Sequence, residues 1–257
     1  MKIVVAIKQV PERDAPIHIA SDGKWIDDAD LNYTINEPDA YALEEALQLK
    51  EKQGTGEVIV VCAGPERVQS TLREALAKGA DRAIHIEAES LTSLDTLGIA
   101  QILADAIKPE SPDLILTGLQ SDDLGLGQTG VVLAELLSIP SATIIMHVEP
   151  TSSGLKVKRE LEDGWFQHVE MPLPALLTIQ SGGNKLRYAT LMGIKKAKTK
   201  ELRKVSAADL GQSAAPAATL EKITQPQKQK STQIIPGSPK EAAATLVEKL
   251  KFEVRVI

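Results

Sequence analysis

Apolar positions follow two rhythms along the first 150 residues. Short, continuous runs rich in Val and Ile occur at Ile3–Lys8, Val58–Cys62, Ala83–Ile86, Leu114–Thr117 and Ala142–His147. Runs without polar alternation suit parallel strands buried on both faces. Between them, Pro38–Gln53, Pro65–Lys78, Leu94–Lys108 and Leu126–Leu137 read as helical segments. In "PDAYALEEALQLKEK" the residues Ala42, Ala46 and Leu49 share one side with charges opposite, and Gly54 and Gly79 stand where helix C-caps belong. Strand–helix alternation predicts an α/β fold with a doubly wound, mainly parallel sheet.

After His147 the rhythm changes. "LKVKREL" and "WFQHVEM" alternate around "EDG", which predicts an added β-hairpin over 155–171. "PALLTIQ" reads as a further strand, "SGGNKLRYATL" as a loop, and "MGIKKAKTKELRK" as a helix with a basic face. From Gly211 to about Pro239 the composition shifts to Ala, Pro, Gln, Ser and Lys, as in an extended linker. "PKEAAATLVEKLKF" is a good helix former near the end. The expected organisation is an α/β unit over 1–200 followed by a linker and C-terminal helical arm over 201–257. The arm either docks on a partner subunit or folds back on its own domain; the pattern leaves both open.

Composition narrows the chemistry. With aromatics at 3%, the core has to be built from Val, Ile, Leu and Ala. A net charge of −6 argues against a broad nucleic-acid footprint, which needs a basic face. Cys62, the one cysteine, cannot form an intrachain disulfide, and His18, His85, His147 and His168 lack metal-ligand spacing. "MKIVVAIK" reads as a strand, no signal region stands out, and no apolar stretch reaches membrane-span length. The expectation is a soluble cytoplasmic protein. Neither G-x-S-x-G nor a Walker lysine occurs, so no residues of this chain are expected to be catalytic.

One loop does suggest a ligand. Gly125-Leu126-Gly127-Gln128-Thr129-Gly130 spells G-x-G-x-x-G, the dinucleotide fingerprint. In that fold the first glycine follows the first strand almost directly. Here "GLQSDDL" intervenes after the fourth strand, and the only acid near 20 positions on is Glu149. A hydride-transferring dehydrogenase is a poor reading. A loop between a strand's carboxyl end and the next helix nevertheless sits where open α/β sheets bind ligands. A helix opened by Gly127, Gln128, Thr129 and Gly130 offers unpaired N–H groups and a positive dipole end to a phosphate. Asp122 and Asp123 would repel phosphate, and a role in capping loop N–H groups fits them better. A glycine turn that binds nothing is the bland alternative.

The hairpin carries more specific information. "VKRELEDGWFQHVEMPLPALLT", Val157 to Thr178, resembles the signature of the electron transfer flavoprotein beta subunit (the FixA family). "VVAIKQVP", "INEPDAYALEEAL", "ALAKGADRAIHI" and "NKLRYATL" are similar to the same family in the same order, over roughly residues 1 to 200. The resemblance implies an adenine-nucleotide-binding type of α/β fold and one half of a heterodimer whose alpha subunit holds a redox-active FAD. It implies a structural AMP on this chain, near Ala6, Asn36 and Ala63, with Ser121, Asp123, Leu124, Gly127, Gln128, Thr129 and Gly130 around the phosphate. Many AMP-binding members read D-D-D-x-N-Q-T-G, whereas Gly127 takes the asparagine's place here. Electron-bifurcating relatives, which hold a second FAD in place of AMP, look more like D-G-D-T-A-Q-V-G-P. By position in the signature, Glu160 would contact the mobile FAD domain. In loop 184–194, Leu191 would be the side chain that dehydrogenases recognise, with Lys195, Lys196, Lys198 and Lys200 steering an acidic surface. A membrane quinone oxidoreductase is the implied acceptor. Besides the bifurcating half, a stand-alone nucleotide sensor similar to universal stress proteins is an alternative, which the hairpin disfavours.

Overall fold

The computed structural model describes residues 1–210, 216–227 and 232–257, in two compact units, Met1–Ile223 and Thr224–Ile257. In chain order the first unit contains β1 (Lys2–Ala6), β2 (Gln9–Pro11), β3 (His18–Ile19), β4 (Ile26–Asp27), β5 (Tyr33–Ile35) and α1 (Glu37–Gln53). Next come β6 (Glu57–Gly64), α2 (Val68–Lys78), β7 (Arg82–Glu87), α3 (Thr96–Ile107), β8 (Leu114–Gly118), α4 (Thr129–Leu136) and β9 (Ser141–Pro150). The hairpin strands β10 (Leu155–Glu160) and β11 (Phe166–Met171) precede β12 (Ala175–Ile179), α5 (Leu191–Ala197) and β13 (Leu202–Ser206).

Nine strands form one sheet in the order β11-β10-β9-β12-β8-β1-β6-β7-β13. From β13 to β9 all neighbours are parallel, and the hairpin adds two antiparallel strands at one edge. Each central strand feeds two cores, which is why its sequence shows no alternation. Ile3, Val5, Val58 and Val60 pack under α1 and α2 with Leu43, Leu47, Leu72 and Leu76. Val4, Ile59, Val61, Ile84 and Ile86 face the opposite way, onto Ile102, Leu103, Ile107 and Leu133 of α3 and α4. Ala42, Ala46 and Leu49, expected on the inner side of α1, are fully buried. The doubly wound α/β expectation is met.

The chain leaves β1 for β6 and β7 on one side, then crosses to β8 on the other side of β1. The β1/β8 boundary is therefore a topological switch point, the place at the carboxyl ends of the strands where open α/β sheets bind ligands.

Three local expectations need correction. "MGIKKAKTKELRK" is not one helix: α5 stops at Ala197 and Leu202–Ser206 is the outermost parallel strand, on β7. Its charges fit an edge position, since Arg203 pairs with Glu110 at 2.8 Å and Lys204 with Glu87 at 3.1 Å. Ladder bonds and these pairs outweigh the helix propensity of Lys, Glu, Leu and Arg. The first compact unit, which includes this strand, ends at Ile223. Helix α4 begins at Thr129 rather than Leu126, because Gly127 has φ +65°, outside the right-handed helical region. Finally, the segment 184–194 ends in helix, since α5 starts at Leu191 behind the Thr190 cap, whose hydroxyl accepts from the Gly193 N–H at 3.0 Å.

The second unit contains α6 (Pro239–Lys249), started by a capping box in which Ser238 and Glu241 bond each other's backbone N–H. No residue of α6 is buried, and Leu246, Val247 and Phe252 are exposed. The linker expected over 211–239 includes 211–215 and 228–231, which lie outside the described residues.

Candidate nucleotide site

Three elements converge at the switch point: the residues after β1, the first turn of α1, and the loop from Gly118 to Gln128. Lys8, two residues beyond β1, sends its ammonium to Asp123 Oδ1 at 2.6 Å and toward Ser121 Oγ at 3.4 Å. Burial works against ionisation of Asp123, but Lys8 outweighs it, and the carboxyl is held below its ordinary range. Asp123 also accepts from the Leu124 N–H at 2.8 Å. Asp122 accepts from the Glu37 N–H at 3.2 Å. The two carboxylates thus do cap backbone N–H groups, and the charge of Asp123 is paired with Lys8.

Asn36 is at the N-cap position of α1 yet makes no cap bond. Its amide donates to the Gln120 carbonyl at 2.9 Å and its oxygen accepts from the Asp122 N–H at 2.8 Å. Both ends of this buried side chain are spent on holding the loop against α1. Asp39, one turn on, is also buried. Its Oδ2 accepts from the Lys8 N–H at 2.7 Å and its Oδ1 from the Gly118 N–H at 2.8 Å. Burial raises its carboxyl to about 7, against the lowering effect of these bonds and of Lys8. Glycine is required at 118, since a Cβ there would collide with Asp39 Oδ1 and come within 2.7 Å of Pro38 Cβ.

Beyond the clasp the loop turns through Gly125 and Gly127, at φ +63° and +65°. This left-handed region is open to glycine and, among other residues, best tolerated by asparagine. An asparagine at position 127 would therefore be compatible with this backbone. Gly130 then lets the start of α4 lie against the sheet: a Cβ there would sit 2.7 Å from both Thr117 Oγ1 and Thr178 Cγ2. No side chain caps α4, whose N-cap is Gln128. The first-turn N–H groups, those of Thr129 and Gly130 among them, have no intrahelical acceptor. A helix start of this kind is a place where an anion can be bound.

The structure brings Asn36, Ser121, Asp123, Gly127, Gln128, Thr129 and Gly130 to one edge. Ala6 ends β1 and Ala63 is the last residue but one of the neighbouring β6, with Ala6 opposite Val61 in register. Leu124 lies on the loop with its side chain exposed. A cleft of about 680 Å³ opens at the ends of β6, β7 and β13, but Glu66, Glu87 and Glu89 in its lining make it hostile to phosphate. Lys8, Asp39 and Gly118 were not anticipated. A lysine after a strand and an acid in a helical first turn are too ordinary to stand out until folding brings them together.

Glu160 approaches the same edge from the hairpin, where it accepts from Gln180 Nε2 at 3.3 Å. Gln180 directly follows β12, whose Ile179 pairs with Gly118. Leu191 lies elsewhere. Its loop is fastened to the far end of α1, with Arg187 Nε 2.8 Å from Glu44 and Nη1 2.6 Å from Glu51. Position 51 is about 18 Å along the helix from Asp39, at 1.5 Å per residue. Leu191 does not pack inward: it is 83% exposed, with Tyr188, Met192 and Ile194 exposed beside it. Cys62 is buried, its thiol pushed up to about 12, first by burial. No group of acids, His and Cys suited to a metal occurs among the described residues, and no helix there is long and apolar enough to cross a membrane.

Comparison with known proteins agrees with this frame. Residues 24–210 match the family model described as electron transfer flavoprotein domain. The electron transfer flavoprotein subunit beta of Methylophilus methylotrophus is 39% identical over 257 residues, covering 96% of this chain and 97% of that protein. Those of Bacillus subtilis and Mus musculus are 38% and 35% identical, each over 100% of this chain and 100% and 99% of their own. The chain belongs to the electron transfer flavoprotein family and is similar to its beta subunits along its whole length, as the hairpin signature led us to expect.

Proposed function

We propose that this chain is the nucleotide-bearing half of a heterodimeric electron carrier, holding AMP at the β1/β8 crevice and pairing with an alpha subunit that carries FAD. The observation that carries the AMP reading is the uncapped start of α4, set against a loop whose carboxylates are already spent on Lys8 and on backbone N–H groups. The phosphate would be held by backbone N–H groups of the first turn of α4 with help from the Thr129 hydroxyl. Ala6 and Ala63, without bulk beyond Cβ, would leave room for the rest of the nucleotide. Asn36 and Asp123 would act on the loop rather than on the ligand. AMP in this role is structural: it fills the crevice and ties down the loop.

The partner's FAD supplies the redox chemistry, taking electrons from a dehydrogenase and passing them to a membrane quinone oxidoreductase. This chain's own residues would bind and orient. Glu160 would make a charged contact with the FAD-bearing domain. The exposed residues Leu246 and Val247 of α6, and Phe252 just beyond it, would be covered by the alpha subunit. Leu191, among exposed Tyr188, Met192 and Ile194 and next to Lys195 and Lys196, has the form of a small apolar anchor with basic steering. The test is to purify the chain with its alpha subunit and count bound groups. One AMP and one FAD per heterodimer is the expected result. Two flavins and no AMP would refute it and favour the bifurcating arrangement.

A further inference from the structure

Asp39 is buried, polar and central to the crevice, yet it reaches out to neither solvent nor loop surface. We propose that Asp39 is the positioning residue of the nucleotide site: as a carboxylate it fastens the segment after β1 to the end of β8, and when it is protonated the phosphate loop loosens and nucleotide is released. The proposal rests on the AMP reading above.

The geometry is specific. One oxygen takes the Lys8 N–H and the other takes the Gly118 N–H, so a single side chain on α1 joins the two strands that flank the switch point. Lys8 then grips Asp123 in the phosphate loop, and Gly118 begins that loop. A carboxylate is suited to this because it only accepts. A protonated acid carries a hydroxyl, so one of its oxygens would meet an N–H with a donor of its own and one bond would be lost. An unpaired N–H in a buried place is costly. Gly118 leaves the room that the carboxylate occupies.

The surroundings determine when the proton arrives. Lys8 is the cation near Asp39, and Asp123 shares its charge. The neutral amide of Asn36, at the N-cap position of α1, lowers the Asp39 carboxyl, and Cys62 from β6 is a neutral thiol. Asp122 and Glu37 lie at the same end of α1, tied by the Glu37 N–H. Thr117 and Thr178, from β8 and β12, carry no charge. With burial dominant, Asp39 changes charge near neutral pH, where an exposed aspartate would not.

The test uses the full-length chain with AMP as the probe. AMP affinity is measured at pH 8 and pH 6.5 for wild type and Asp39→Asn, and amide exchange at Lys8 and Gly118 is followed over the same range. Asparagine presents a donor where the acid would, so it imitates the protonated state. The ligand's own phosphate proton affects both proteins alike. Wild type should lose about threefold more affinity on acidification than the variant, close to the limit for uptake of one proton by a carboxyl at about 7. Its Lys8 or Gly118 amide should also lose protection beyond the intrinsic pH effect. Equal pH dependence in the two proteins, or amide protection that does not change, would overturn the proposal. Should wild type fail to bind AMP at pH 8, the AMP reading falls, and the exchange data, which need no variant and no ligand, still decide the clasp.

Discussion

Gly130→Ala puts the packing of α4 to a direct test. The added methyl would stand 2.7 Å from Thr117 Oγ1, 2.7 Å from Thr178 Cγ2 and 3.4 Å from Leu176 Cδ2. Favourable carbon contacts begin near 3.5 Å, so something must move by about 0.8 Å. The threonines cannot easily do so. They are register partners on adjacent strands, and both are buried. The Thr117 hydroxyl donates to the Gly118 carbonyl at 2.9 Å, and Thr178 Oγ1 accepts from the Ile144 N–H at 3.3 Å. Branching at Cβ restricts their rotation further. The start of α4 must therefore lift off the sheet. Overpacking of this kind costs about 1–3 kcal/mol. Alanine's better helix propensity returns up to about 1 kcal/mol, less at a second helical position. The net loss should be about 1–2 kcal/mol, or about 2–8 °C in Tm for a chain of this size. Urea denaturation of the variant measures it. Adding Thr178→Ser removes one clashing carbon and should recover at least about 0.5 kcal/mol as a coupling between the sites. A Gly130→Ala protein as stable as wild type, or a double mutant whose effects simply add, would refute the argument.

Two further perturbations separate anchoring from docking in the 184–194 segment. Arg187→Met removes the cation from buried Glu44 and should cost about 1–3 kcal/mol, below the range for a fully buried pair because the guanidinium is partly exposed. Burial opposes ionisation of Glu44, but Arg187 prevails and its carboxyl lies below the ordinary value. The pair therefore contributes above the unfolded carboxylate pKa and is lost as pH falls through the depressed folded value, so the stability gap between wild type and variant should close in acid. A gap that widens in acid would count against it. Leu191→Ala, by contrast, should leave stability within about 0.5 kcal/mol, as expected for an exposed site. In stopped-flow assays it should slow flavin reduction by a partner dehydrogenase; an unchanged rate would place docking elsewhere.

The sequence was readable where local pattern and long-range packing say the same thing. Val58 to Cys62 and Leu114 to Thr117 are strands by composition and strands in the sheet, because burial on both faces leaves only apolar choices. The loop glycines were also readable, since position 127 needs a left-handed backbone that few residues allow. What escaped notice depends on partners far away in the chain. Residues 202–206 look helical on their own and become a strand because β7, Glu87 and Glu110 lie beside them. Asn36 has the residue type of a cap and spends its amide elsewhere, on a loop more than 80 positions away. Lys8 and Asp39 are ordinary until β1 and β8 become neighbours across 108 or more residues.

The two ends of α1 show why one helix can serve two distinct tasks. Its first turn holds Asn36 and Asp39 against the crevice, and its later turns hold Arg187 and, through Asn184 on Glu45, the rest of the 184–190 loop. Both attachments use buried or half-buried carboxylates on a rigid rod, but they differ in what neutralises the charge. Glu44 has a guanidinium in direct contact, and its carboxyl is driven down. Asp39 has backbone N–H groups and a lysine that is itself engaged with Asp123, and its carboxyl is driven up. Acidification from pH 8 toward 6.5 should therefore act on Asp39 while leaving the Arg187–Glu44 pair charged. Glu45, whose carboxyl burial drives up as it does that of Asp39, holds the Asn184 end of the loop, so on acidification the 184–190 attachment should loosen at Asn184 before it loosens at Arg187.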